Sequence, residues 1–129
     1  MIQSTISPTL IVAAAGALGA VARWGTSKAA QALLGPKWPV GTLVVNVVGC
    51  FVFGLVVALL RHDPRPESNA RLLWLTGFCG AYTTFSTFAF DVIELEATRG
   101  LSYVAANVGL HLTLGLGGLL LGLAAARLF

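Results

Sequence analysis

From Val40 to Leu60 the chain carries no charged side chain and a single amide, Asn46. A transmembrane α-helix needs about 20 mostly apolar residues, and this stretch supplies them. Three further segments read the same way: 9–30, 71–98 and 101–126. The first is free of charge to Ala22, then carries Arg23 and Lys28; the last is free of charge up to Arg127. Composition agrees. The chain is 57% hydrophobic and 10% charged, whereas a soluble domain carries about 25% charged residues. A soluble chain this short would leave much of its apolar surface in water. The expected fold is an all-α membrane protein of four transmembrane helices, one domain over residues 1–129, with no room for an aqueous one.

Several classes drop out. The net charge is +3, but the basic residues are scattered and form no cluster for a phosphate backbone, so no nucleic-acid partner is expected. Cys50 and Cys79 lie far apart in apolar stretches and match no metal or redox spacing, which makes them packing residues. Met1 to Pro8 has no basic n-region, so no cleavable leader is expected. The connector from Arg61 to Asn69, with two prolines and mixed charges, is the one clearly aqueous stretch. Four spans put Arg61, Arg65, Arg71 and Arg127 on one side and Arg23, Lys28, Lys37 and Arg99 on the other. The positive-inside rule reads that bias; an even count gives no instruction. Such a chain can insert both ways and pair as an antiparallel dimer.

The third segment has an unusual centre, Thr76-Gly77-Phe78-Cys79-Gly80-Ala81-Tyr82-Thr83-Thr84-Phe85-Ser86-Thr87-Phe88. Two glycines and a run of hydroxyl and β-branched residues weaken a helix there. In lipid, freed backbone groups must find partners. A break at mid-membrane depth is tolerable where it is buried in protein, lines water or coordinates an ion. The alternative is a continuous helix whose glycines serve close packing.

No nucleophile–base pair or carboxylate dyad points to an enzyme. Asp63 and Glu67 fall in the connector, and Asp91, Glu94 and Glu96 toward the end of segment three, where solvated carboxylates are ordinary. Gly115-Leu116-Gly117-Gly118, with Gly122, reads as a small-residue packing face. What remains is a set of polar groups inside apolar helices. Arg23 is either a charge at depth with a function or an arginine snorkelling from a helix end. Asn46 is either a pore amide or glue between helices. Tyr103, Asn107 and His111 recur at a spacing of four and share one helix face, as a polar stripe or a packed interface. With Asn46, Ser86 and Thr87 they could form one polar track across the membrane. These groups donate hydrogen bonds, and an arginine adds positive potential, which suits an anion better than a cation. Phe85 and Phe88 lie three apart; their rings have positive edges able to meet a small anion, or they simply pack.

Gly16-Ala17-Leu18-Gly19-Ala20-Val21-Ala22-Arg23, then Gly41-Thr42-Leu43 with Asn46 and Gly49, then Gly77-Phe78-Cys79-Gly80 with Thr83-Thr84-Phe85-Ser86-Thr87-Phe88, together resemble the Fluc (CrcB) family of small fluoride channels. The match covers nearly the whole chain. The resemblance implies a fluoride-selective channel that exports fluoride passively across a bacterial inner membrane. It also implies an antiparallel dual-topology homodimer with two pores and a third helix broken at mid-membrane. A structural sodium ion would sit at the dimer interface, held by the backbone carbonyls of Gly80 and Thr83. Phe85, Phe88 and Asn46 would line the fluoride path, and Tyr103 matches the family's fourth-helix tyrosine. Asn107 and His111 stand where relatives often carry serines.

Two other classes remain. A small proton-coupled multidrug exporter has similar length and topology, but it needs a membrane-buried carboxylate where this first helix carries Arg23. A non-transporting assembly subunit would use the polar residues only to join helices.

Overall fold

The computed structural model describes residues 6–129; the part of the leader reading that rests on residues 1–5 lies outside the described residues. Helix α1 spans Pro8–Leu34. Pro8 opens it, at a position where a missing N–H leaves no helical bond unmade. Gln31, Ala32, Leu33 and Leu34 are acceptable helix formers, so the helix runs beyond the expected end at residue 30. It stops at Gly35, whose φ of +86° turns the chain while its N–H closes on Gln31 O at 2.9 Å. Helix α2, Val40–Leu59, follows Pro39.

The segment from residue 69 to 99 is helical but not uniform. Asn69–Arg71 begins as α-helix, Leu72–Cys79 widens to a π-helix, and Gly80–Tyr82 returns to α; these three run on without interruption and are called α3. Thr83 (φ −82°, ψ 160°) and Thr84 (φ −151°, ψ 115°) are extended. Helix α4 then spans Phe85–Arg99 and ends at Gly100, φ +89°. Helix α5 spans Leu101–Ala125 and closes in a 3-10 turn, Ala126–Leu128.

Helix α2 packs along α5, and α1 along α3. The α2–α5 contact is made through bare backbone. A Cβ on Gly118 would sit 2.9 Å from Val47 O, and one on Gly54 or Gly122 would strike Leu119 O or Phe51 O. Lipid gives helices no hydrophobic reason to associate, so close approach of small residues holds them together. Gly118 and Gly122 thus form the packing face read from the sequence, whereas a Cβ on Gly117 would meet open space. Leucines cover the outside: Leu10, Leu18, Leu116 and Leu120 are each more than half exposed. Three helices, Pro8–Leu34, Val40–Leu59 and Leu101–Leu128, are long and apolar enough to cross a membrane.

Candidate functional site

The break between α3 and α4 frees backbone groups in an apolar setting, and one side chain from α2 meets them. Thr84 N–H donates to Asn46 Oδ1 at 2.8 Å, and Asn46 Nδ2 donates to Thr84 O at 3.1 Å. An N–H can only donate and a carbonyl can only accept, so this pair fixes which way the amide faces. Gly49 lets α2 approach: a Cβ there would strike Thr83 Cγ2. Thr84 is 8% exposed, so its backbone has no ready access to other partners.

Four carbonyls, from Gly80 to Thr83, lose their helical donors at the same place, those of Gly80 and Thr83 among them. In a continuous helix, Thr84 N–H would close on Gly80 O and Thr87 N–H on Thr83 O. Here the first is held by Asn46, and the second caps onto Thr84 Oγ1 at 3.2 Å. Among the described residues, neither carbonyl accepts another hydrogen bond. Gly80 is exposed on the surface of the chain.

A cavity of about 380 Å³ opens against the break, with Asn46, Thr83, Thr84, Phe85, Phe88 and His111 in its wall. Phe88 lies 5.7 Å from Phe85 and 4.4 Å from His111, ring centre to ring centre. A second cavity of about 490 Å³ has Thr87 in its wall, whose Oγ1 is 2.9 Å from Thr84 Oγ1, together with Trp38, Thr42, Asp91, Lys37 and Arg99. The Thr84–Thr87 hydroxyl pair therefore stands between the two cavities. Ser86 Oγ is 3.3 Å from the same Thr84 oxygen.

The structure thus brings together Asn46, Phe85, Phe88 and His111 around one cavity, with Ser86 and Thr87 joined to it through Thr84. Thr83 lines the same cavity, and Gly80 lies one turn before it. Tyr103 stands apart, 5.6 Å from the Trp38 ring with the Arg99 guanidinium 5.4 Å above its own. Asn107 is 0% exposed and lines neither cavity. Among the described residues its side-chain amide has no hydrogen-bond partner. Arg23, half-buried on α1, lines neither cavity.

Sequence reasoning missed Thr84, Trp38, Thr42 and Asp91. Thr42 belonged to a quoted motif, and Asp91 was read as an ordinary solvated carboxylate. The fold turns Asp91 inward: it is half-buried, and its Oδ2 has no hydrogen-bond partner among the described residues.

Long apolar helices around a hydrogen-bonded backbone interruption define a multi-pass membrane protein with a polar interior. Residues 10–123 match the family described as CrcB-like protein, Camphor Resistance (CrcB), and the chain belongs to that family. It is 46% identical over 114 residues to the fluoride-specific ion channel FluC of Rhizobium etli, covering 85% of this chain and 91% of that one. It is 45% identical over 122 residues to the FluC of Cereibacter sphaeroides, covering 95% and 96%. To the FluC of Aeromonas salmonicida it is 45% identical over 114 residues, covering 88% and 91%.

Proposed function

We propose that this protein is a fluoride-selective channel that lets fluoride leave the cytoplasm of a bacterial cell passively. The observation that carries the reading is the cavity at the α3–α4 break, where Asn46, hydroxyls and phenylalanine rings converge in a chain whose relatives are fluoride-specific channels. Fluoride holds its water strongly, so a path must offer replacement donors. The second Nδ2 hydrogen of Asn46, the threonine hydroxyls and the ring edges of Phe85 and Phe88 can serve in turn. Weak sites in series allow exit as well as entry.

The working form is an antiparallel, dual-topology homodimer of four-span chains in the inner membrane, with 69–99 as the third span and its break at mid-membrane. Phe85, 79% exposed in the single chain, and exposed Gly80 support a further surface being brought against them. Carbonyl oxygens suit a hard cation, and Gly80 O and Thr83 O are two of the four that the break strips of helical donors. They would hold a sodium ion between the two copies, where its charge offsets the cost of an anion in low dielectric. Tyr103, Asn107 and Arg23 stay in this reading as candidates for the path, although none of them lines either cavity in the single chain.

The test is fluoride release from liposomes holding the purified protein, read with a fluoride electrode beside a chloride control. Fast fluoride release without chloride release is expected; folded, dimeric protein that moves neither ion sinks the reading. Phe85→Ile separates a channel from an assembly subunit. Isoleucine keeps an apolar side chain there, so stability should change by no more than about 1.5 kcal/mol even with the partner copy in place. Fluoride flux should fall about tenfold, the rate effect of losing one contact of about 1.4 kcal/mol.

A further inference from the structure

His111 is the one titratable side chain, apart from Cys50, in the wall of the cavity at the break. Its Nδ1 lies 3.0 Å from Asn107 O. A carbonyl only accepts, so the proton of the neutral ring resides on Nδ1. Nε2 then carries a lone pair and no hydrogen. That atom is buried and has no hydrogen-bond partner among the described residues. The ring is held in place by this bond on one side and by the Phe88 ring, 4.4 Å away, on the other. In its neutral form, therefore, His111 offers an anion in the cavity no positive charge. Protonation would place one in the cavity wall with no movement of the ring.

We propose that His111 sets the fluoride throughput of this channel by its protonation state, with the imidazolium as the faster form. The inference rests on the fluoride-channel reading and adds to it a residue in the cavity wall whose charge is set by protonation. Among the groups that face the imidazole, α4 contributes Asp91, close enough for its charge to be felt at His111, and Glu94 acts on Asp91 from one turn further along. Helix α2 contributes no charge from Val40 to Leu59, only the thiol of Cys50 in the same wall. The break contributes hydroxyls, and α5 itself, Leu101–Ala125, has no other charged residue.

Fluoride efflux is measured from liposomes holding the full chain, with equal pH on both sides, at about pH 5.5 and about pH 8. Efflux from protein-free liposomes is subtracted at each pH, because hydrogen fluoride crosses lipid unaided. The wild type should run about tenfold faster at the acid value, the rate effect of one added positive charge lowering the anion's barrier by about 1.4 kcal/mol. H111Q, and H111S should the first fold poorly, should lose that dependence; D91N should keep it. Equal wild-type rates at the two values, or a rise that survives in H111Q or H111S, overturn the proposal while leaving the channel reading intact. No protein-dependent efflux at either value overturns the channel reading, and this inference with it.

Discussion

Two of the stretches in which this chain leaves helical geometry between helices are held in opposite ways. At Thr83–Thr84 the backbone is extended among apolar neighbours, and a neutral amide from another helix closes on it with two hydrogen bonds. In the connector, Asp63 and Arg65 make a bidentate ion pair at 2.8 and 3.0 Å, and Arg71 donates to Asp63 O and Leu60 O. By formal charge the connector has the stronger contacts. By solvent it has the weaker ones, since water competes for every group there and exposed ion pairs contribute little. A buried backbone group has no such alternative. Surroundings, more than charge, should therefore rank the two.

The largest effect should come from Asn46→Ala. It leaves Thr84 N–H and Thr84 O without partners, at about 2–4 kcal/mol for the two groups together. The thermal midpoint in detergent should fall, and fluoride efflux with it. A variant as stable as the wild type would show that the break is held by something other than Asn46, and the comparison would fail.

Thr84→Val comes next. It keeps a β-branched residue suited to extended backbone and removes the oxygen that caps Thr87 N–H. A lost cap of this kind costs about 1 kcal/mol. It also deletes the hydroxyl between the two cavities, so efflux should fall more than the stability change alone would give. Equal loss in both readouts would mean that Thr84 serves the fold and not the path.

Three of the four expected spans were legible because apolar runs of membrane length have few other uses, and Gly35 marks where the first of them ends. The break was legible only as a stretch. The two glycines and the hydroxyl run both read as weak points; Gly77 and Gly80 are helical, and Thr83 and Thr84 of that run are extended. Gly77 serves close approach instead: a Cβ there would lie 2.6 Å from Ala15 Cβ. Asn46 stood out in its helix, but its partner is a backbone 38 positions away, and only the packing of α2 on the break reveals it. The i, i+4 spacing rightly placed Asn107 and His111 on one face, as the His111–Asn107 contact shows. It carried no information on depth, and so could not separate a sealed Asn107 from a cavity-facing His111. Asp91 failed for the same reason.

The smallest effect belongs to the connector and appears only in acid. The Arg65 side chain, hydrogen-bonded to Asp63, holds that carboxyl well below the usual carboxylate range. A carboxyl that is more acidic when folded adds stability above its unfolded value, about 3.9, and gives it up as pH falls toward the folded value. From about pH 5 upward, the difference in thermal midpoint between wild type and D63N should be small and constant; below about pH 4 it should shrink toward zero. The exposed setting keeps the whole effect slight. A D63N loss as large as that of Asn46→Ala would reverse the ranking, and would mean that the connector is held against something drier than water.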